Sequence, residues 1–180
     1  MSTFNIKSNI ITQRDSTGLK TLLGPQDAVG TIVEVLGTDR NVSAIVDAGT
    51  QFRLCPVPSS ARISSLEYAK ETTGTTTLDV AAWYPTNIPQ GASNTPAASL
   101  EGTLISSSAF LSGIAGVDPG VGWTDGMGLA ASPTMQLRTQ PLWQLLGLSS
   151  DPMIDIDLGF SVRVATAETG YVGMRVRYVD

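Results

Sequence analysis

The sequence contains no histidine and a single cysteine, Cys55, and these two shortages exclude much of enzyme chemistry. Histidine is the most common general base and metal ligand, and the serine and cysteine catalytic triads depend on it. One cysteine cannot build an internal disulfide, a zinc cluster or a redox pair. We therefore predict a protein that is not an enzyme and that binds no cofactor and no metal. Cys55 itself is predicted to be a small buried hydrophobic residue.

Charge is also scarce, since charged residues make up 15% of the chain against about 25% in typical soluble domains. The net charge is −5, and the 11 lysines and arginines form no basic run. Because nucleic-acid affinity depends largely on basic contacts to phosphate, we expect no nucleic-acid partner. No stretch approaches the roughly 18 apolar residues of a membrane span, and no signal-peptide core follows Met1. We therefore expect no membrane partner and synthesis in the cytoplasm.

The sequence does contain a series of short strand patterns separated by glycine and proline turns. Alternating or β-branched runs predict strands over 31–36, 42–46, 51–55, 62–70 and 76–84. Pro56 and Pro58 place the third of these at a sheet edge or a strand end, because proline cannot donate to a ladder. A turn over 71–74 joins the last two runs in a predicted hairpin. Residues 86–98 are rich in Asn, Pro, Gly and Ala, which predicts a long loop.

The clearest pattern lies at the C-terminus, where apolar and polar residues alternate over 154–164 and again over 172–178. A period of two over such lengths predicts two strands, each with one buried face. The turn-like sequence between them predicts a hairpin with an exposed polar side. In the expected register, Asp157 faces Arg177 across that polar side, as a cross-strand pair that fixes the register.

Together these patterns predict a mainly β fold, a β-sandwich or jelly-roll-like domain with one or two short helices. The helices are expected over 106–115 and 141–147. Residues 1–30 show neither a helical period nor a sustained strand period. We therefore predict an extended N-terminal arm over 1–30, followed by a single β-sandwich domain over 31–180. A loosely packed first strand is the alternative interpretation of the arm.

Two pairs of carboxylates deserve comparison with known site chemistry. Asp155 and Asp157 share one strand face, as the paired carboxylates of a glycosidase would, but an exposed strand face balanced by arginines explains them better. Asp118 and Asp125 flank a glycine-rich loop and offer oxygen ligands of the kind that calcium prefers. They are too sparse for a calcium-loop pattern, so we favour an ordinary loop.

The aromatic residues leave another alternative open. Trp83, Trp123 and Trp143 are suited to line the sugar-binding face of a β-sandwich module. Trp83 and its neighbour Tyr84 have opposite strand parity, however, so they cannot share one face. We favour the interpretation that the tryptophans lie in the core, under loops or at interfaces.

Four segments of the chain resemble, in the same order, a group of small capsid-associated proteins of tailed bacteriophages. The segments read RLCPVPSSARI (53–63), TLDVAAWYP (77–85), PLWQLLGL (141–148) and VRYVD (176–180). The resemblance implies a virion structural protein made in the cytoplasm of the host bacterium. It further implies a capsid decoration (cement) protein on the capsid surface, with the major capsid protein as partner and with self-association into a homo-oligomer.

The residues predicted to bind the partner are hydrophobic residues of the arm and the tryptophan of the glycine-rich loop: Phe4, Ile6, Ile10, Ile11 and Trp123. An arm that orders on binding spreads contacts over a partner's surface, although its ordering has an entropic cost. Two alternatives remain open at this point. One is a tail, neck or fibre component of a phage, and the other is a carbohydrate-binding β-sandwich module.

Overall fold

The computed structural model describes residues 5–7, 32–41, 48–72, 76–89, 95–114, 123–125, 139–164 and 170–179. Their strands are β1 (Asn5–Lys7), β2 (Ile32–Asn41), β3 (Gln51–Pro58), β4 (Arg62–Thr72), β5 (Thr77–Trp83), β6 (Leu104–Ser106), β7 (Thr124–Asp125), β8 (Asp155–Val164) and β9 (Gly170–Val179). A 3-10 turn spans Ala98–Leu100, and a short helix, α1, spans Leu142–Leu145. The protein is mainly β, as predicted.

The strands form two sheets that pack face to face as a β-sandwich. Sheet A has the order β1-β3-β8-β5-β6, and sheet B has the order β2-β9-β4-β7. Described neighbours are antiparallel except for β1 and β3, which are parallel. Among the described strands, only β5 and β6 are both consecutive in the chain and paired with each other. Elsewhere the chain passes from one sheet to the other between successive strands.

The core lies between the inner faces of the two sheets. Tyr68 of β4 meets Phe160 of β8 edge to face, with ring centroids 6.5 Å apart. Cys55 of β3 is buried as predicted, and its Sγ lies 3.7 Å from the carbonyl oxygen of Val35 and 3.3 Å from that of Met174, both in sheet B. Burial raises the pKa of the Cys55 thiol to about 12, because the interior disfavours the charged thiolate.

Both predicted hairpins are wrong in their pairing, although their strands form close to where the patterns placed them. β4 belongs to sheet B and β5 to sheet A, while β8 belongs to sheet A and β9 to sheet B. β8 lies between β3 and β5, and β9 lies between β2 and β4. Alternation identifies the face of a strand that is buried, but strands of both sheets turn apolar faces toward the same core. The pattern therefore does not identify the neighbouring strand.

The two predicted helices have different outcomes. The helix over 106–115 is wrong: β6 ends at Ser106, and after a series of turns Ile114 forms a bridge to Leu78 of β5. The apolar side chains that indicated a helix, Phe110, Leu111 and Ile114, are buried in the core from this irregular segment. Tertiary burial thus uses the same residues without helical geometry.

The helix over 141–147 is confirmed as α1. Pro141 precedes its first residue, and Gly147 follows its end with a φ of 73°, a left-handed conformation that suits glycine. The amide of the buried Leu142 donates to the carbonyl oxygen of Ala61 at 2.9 Å, which fixes α1 against the β3–β4 turn. No helix in the described ranges is long and apolar enough to cross a membrane.

The N-terminal part of the chain contributes one described strand. Asn5–Lys7 pairs in parallel with Gln51–Arg53 of β3, as in the alternative of a packed first strand. The rest of 1–30 and the strand predicted over 42–46 lie outside the described residues, and the domain boundary at 30 stays a prediction. Pro56 and Pro58 lie in the last part of β3, beyond the three residues that pair with β1, where the one described strand neighbour is β8. That position agrees with the predicted edge location of the prolines.

Candidate interaction surface

The outer face of sheet B, which points away from the core, concentrates exposed apolar side chains. Eight large apolar residues are exposed in the described part of the chain, and four of them lie on this face: Ile32, Leu36, Trp123 and Tyr171. Their positions follow from strand parity, because Val35 on β2 and Val172 on β9 point into the core and their neighbours point outward. We call this surface, together with the charged side chains between these residues, the outer B face.

Trp123 lies in a shallow groove that the sheet provides for it. The pairing of β7 with β4 places Trp123 beside Ala69. The same row continues across the sheet through Gly173 of β9 to Thr38 of β2. The two small residues in the middle of this row leave space above the sheet. A Cβ added to Gly173 would lie 3.1 Å from Cη2 of the indole and 3.4 Å from Cγ2 of Thr38. The ring therefore rests against the backbone of β9 and remains 37% exposed.

Charged side chains next to the tryptophan are held by partners on neighbouring strands. Arg175 forms an ion pair with Glu67, in which its Nε donates to Oε2 at 2.7 Å. The guanidinium carbon of Arg175 is 5.0 Å from the centroid of the Trp123 ring. A cation in this position is attracted to the indole, by about 0.5–1 kcal/mol at an exposed site. The arginine therefore restrains the orientation of the ring.

A second ion pair continues the pattern toward the edge of the sheet. Nε of Arg177 donates to Oε2 of Glu34 on β2 at 2.5 Å. This hydrogen bond, and then the negative charge of Glu34, raise the pKa of Arg177. The pair is exposed to solvent, so its contribution to stability is small. Its effect is to orient two long side chains on the outer B face.

The composition of the outer B face is typical of protein-binding surfaces. Trp, Tyr and Arg are the residues that most often dominate the binding energy at interfaces. Trp123, Arg175 and Arg177 are already restrained by neighbouring side chains, so they lose less conformational entropy when a partner covers them. The arrangement is therefore suited to protein contact through a preorganised aromatic and cationic centre.

The predicted pairing of Asp157 with Arg177 is wrong, because the two residues lie in different sheets. Asp157 is fully buried on the outer side of sheet A, where it forms an ion pair with Arg53, which is also fully buried. Nη2 of Arg53 also donates to the carbonyl oxygen of Tyr84 at 2.6 Å. Both the predicted polar strand face and the comparison with a glycosidase required Asp157 to face solvent. Because it is buried, both interpretations are wrong for this residue.

The segment that follows β5 accounts for this burial, since it packs over the outer side of sheet A. Ile88 in this segment is buried, and its amide donates to Oε1 of Glu101 at 3.1 Å. Gly102 lies beside Arg53, since a Cβ there would be in van der Waals contact with Nη1 at 3.6 Å. Nε and Nη1 of Arg53 and Nε1 of Trp83 are buried without a hydrogen-bond partner in the described ranges. They belong to a closed polar cluster under this cover.

The structure separates the predicted partner-binding residues. Trp123 lies on the outer B face. Ile6 lies on β1 in sheet A, opposite Phe52, so it is not on the same sheet as Trp123. Phe4, Ile10 and Ile11 lie outside the described residues. The described part of the chain therefore offers one exposed aromatic centre rather than a joined site of arm and loop.

The other candidate ligand residues are also distributed. Trp83 is fully buried and so shares no surface with Trp123, and Trp143 in α1 is half-buried. Asp118 lies outside the described residues, and of Asp125 only its backbone position in β7 is described. Within the described ranges, no three His, Cys, Asp or Glu side chains are grouped in a way that could hold a metal ion.

Sequence reasoning missed the two ion pairs of the outer B face, Glu34 with Arg177 and Glu67 with Arg175. Glu34 alternates with two valines, which marks it as an outward residue of a half-buried strand. The pattern of β4 and β9 marks Glu67 and Arg175 in the same way. What the sequence does not contain is the order β2-β9-β4, which brings these charges together.

Comparison of the sequence and of the fold with known proteins found a similarity at the level of the fold. No protein-family model matches the chain, and no curated protein matches it significantly. The fold is similar to that of a chain in the solved capsid of Ralstonia phage GP4, with a TM-score of 0.60 and 17% sequence identity. The similarity covers 98% of this chain and 97% of the phage chain. At this identity it shows a shared β-sandwich fold, in agreement with the predicted fold class.

Proposed function

We propose that this chain is a structural component of a bacteriophage virion. More specifically, we propose a decoration (cement) protein that binds the major capsid protein on the surface of the head and stabilises the shell. The observation that carries the proposal is the end-to-end fold similarity to a chain of the capsid of Ralstonia phage GP4, which covers 98% of this chain and 97% of that one.

The chemistry of the outer B face supports a role in binding rather than catalysis. Its centre is a partly exposed tryptophan held by Arg175, and its surroundings are ion pairs between neighbouring strands. Such a surface gains affinity by covering an aromatic ring whose orientation is already set. We therefore assign the contact with the capsid protein to the outer B face, with Trp123 as its central residue.

The direct test is co-sedimentation of the purified full-length protein with shells assembled from the major capsid protein of the phage that encodes it. We expect saturable binding and a higher temperature of shell disruption in the presence of the protein. Trp123→Ala should weaken binding at least about tenfold, which corresponds to about 1.4 kcal/mol, because a central aromatic residue is lost. Leu104→Ala is the matched control: it also removes an exposed apolar side chain, but on the edge of sheet A, and binding should not change.

The N-terminal residues form the second part of the proposal. Phe4, Ile6, Ile10 and Ile11 are assigned to contacts of the arm with the shell, and β1 shows that Asn5–Lys7 is able to pair as a strand. Deletion of residues 2–30 should abolish co-sedimentation while cooperative unfolding of the sandwich is retained. A truncated protein that decorates shells as well as the full chain would contradict the role of the arm.

The outcomes that contradict the main proposal also identify its alternatives. A protein that ignores shells but binds purified tails would be a tail, neck or fibre component. A protein that binds neither, but binds specific glycans on an array and loses that binding in Trp123→Ala, would be a carbohydrate-binding module. Equal shell binding by Trp123→Ala and the wild type would leave decoration intact and contradict the assignment of the outer B face.

A further inference from the structure

The two sheets end in strands of very different length. In the described part of the chain, sheet A ends in β1 and β6, of three residues each, and one end of sheet B is β7, of two residues. The other end of sheet B is β2, which has ten residues and pairs with β9 along its whole length. Short edge strands protect a sheet from unwanted pairing, because they expose few unpaired backbone groups. Of these four edges, β2 lacks that protection.

The described side chains of β2, over 32–38, give the edge little protection either. The strand contains no proline, and the outward residues Ile32 and Leu36 are 61% and 47% exposed. The charge between them, Glu34, is paired with Arg177 of the same sheet. Inward-facing Val33 is half-buried within the described residues, whereas Val35 is buried. Between Ile32 and Gly37, where Glu34 is the one charged residue, this mostly apolar part of the edge is a template for a further strand.

The sequence of β2 is compatible with its own copy as that further strand. In an antiparallel pair with its two-fold axis at Leu36, the two Leu36 side chains are opposite each other on the outer face. Glu34 is then opposite Thr38 of the other copy, and Val35 is opposite Gly37 on the inner face. No like charges are opposite each other within 34–38, and every residue keeps its face, as antiparallel pairing requires. A register centred on Glu34 would instead set two carboxylates against each other.

Symmetry also favours a second copy over a different protein. An isologous contact uses the same surface on both partners, so one contact covers both long edges at once. The resulting sheet has eight described strands and ends at both sides in the two-residue strand β7. We propose that two copies of this chain pair antiparallel through β2, with the two-fold axis at Leu36, to form a continuous sheet. The proposal goes beyond capsid binding and does not depend on it, since it concerns the purified protein alone.

Cysteine cross-linking tests the proposed register. Cys55 is buried between the sheets and burial raises the pKa of its thiol to about 12, so it does not compete with an engineered surface thiol. Under mild oxidation, Leu36→Cys should form a covalent dimer, because residues directly opposite each other lie within the roughly 4.4–6.8 Å that a disulfide spans between Cα atoms. Thr38→Cys is the matched control. The two copies of that residue are offset by four positions, about 13 Å, and should not cross-link.

Molecular mass in solution provides the second measurement. Light scattering of the wild type should give twice the mass of one chain. Leu36→Lys should give monomers, because it sets two ammonium groups opposite each other, whereas Thr38→Lys should remain dimeric, because its ammonium group faces Glu34 of the other copy. A wild type that is monomeric at all concentrations overturns the proposal. So does a dimer that Leu36→Lys leaves intact, or one in which Thr38→Cys cross-links as readily as Leu36→Cys. Trp123→Ala separates the dimer from capsid decoration: its ring rests on β9 and not on the β2 edge, so this variant should remain dimeric even though its shell binding is weakened.

Discussion

The ion pair between Arg53 and Asp157 predicts a large loss of stability when one partner alone is removed. Both side chains are fully buried on the outer side of sheet A. Asp157→Asn preserves the size of the side chain but leaves the guanidinium group without its countercharge, and breaking a buried pair in this way costs about 3–5 kcal/mol. For a chain of 180 residues, each kcal/mol corresponds to a change in Tm of about 2–4 °C. The Tm should therefore fall by about 6–20 °C.

Removal of both charges together should cost much less. Apolar replacement of a buried ion pair is often neutral or stabilising by about 1–4 kcal/mol. Arg53→Met combined with Asp157→Leu would, however, leave the carbonyl oxygen of Tyr84 without the donor that it has at 2.6 Å, a loss of about 1–3 kcal/mol if the oxygen stays buried. The two effects nearly cancel. We therefore expect the double variant to be close to the wild type and clearly more stable than either single variant.

The assay is a double-mutant cycle measured by urea unfolding with circular dichroism. Glu34→Gln serves as the control, because it breaks an ion pair that is exposed to solvent and should leave the midpoint nearly unchanged. The reasoning is refuted if Asp157→Asn loses less than about 1 kcal/mol, or if the losses of the two single variants simply add in the double variant. Additivity would mean that packing of the segment after β5, and not charge pairing, accounts for the stability of this region.

Three further predictions concern single positions. Gly159→Ala should prevent stable folding, because its Cβ would overlap the carbonyl oxygen of Phe52 on the adjacent strand; soluble, cooperatively unfolding protein would contradict this. Gly173→Ala should fold with a loss of about 1–3 kcal/mol and with a displaced Trp123, seen as a changed near-UV circular dichroism spectrum, since the added Cβ lies 3.1 Å from the indole. The folded state also retains the proton of the Cys55 thiol, because burial raises its pKa from 9.0 to about 12. The protonated thiol therefore contributes to the free energy of unfolding fully below pH 9, and this contribution is lost as the pH rises toward 12. The loss has a slope of up to about 1.4 kcal/mol per pH unit. In urea unfolding, Cys55→Ala should lack this part of the pH dependence, and an unchanged pH dependence in the variant would refute the prediction.

Part of the fold could be predicted because it depends on local chemistry. Alternating apolar residues identified the inner face of β8, where Ile156, Leu158 and Phe160 are all buried. Pro141 and Gly147 delimited α1, because proline suits the start of a helix and glycine suits the left-handed residue after its end. These features are set by backbone conformation and by the separation of apolar from polar side chains within a few residues.

The pairing of strands could not be predicted in the same way. The sequence places β8 directly before β9, and a short turn between two alternating strands is the usual pattern of a hairpin. In the structure these strands lie in opposite sheets, each as an interior strand. Two successive strands in opposite sheets have the same local pattern as two paired in one sheet, since in both cases one face of each strand is buried. The choice depends on contacts between residues more than 100 positions apart, such as Arg175 with Glu67.

The candidate surface was predicted only in its most prominent residue. Trp123 was expected to contact a partner because it lies in a glycine-rich loop, and the structure places it on an exposed sheet face. Its orientation depends on Ala69 of β4 and on Gly173 and Arg175 of β9, two strands that are far apart in the sequence. No local pattern contains that arrangement.

The sequence by itself determined the mainly β character of the protein, the inward face of its clearest strands, the short helix α1 and the burial of Cys55. Each of these features depends on residues that are close in the chain and on whether their side chains prefer water or an apolar interior. The tertiary structure alone decided which strands are neighbours, and therefore which charges meet. Asp157 has the local sequence of an exposed residue, yet it is buried with Arg53 because the segment after β5 covers that side of sheet A. The long edge of β2 is likewise a property of the strand order, since among the described strands these ten residues have one neighbour, β9, whereas in the middle of a sheet they would have two.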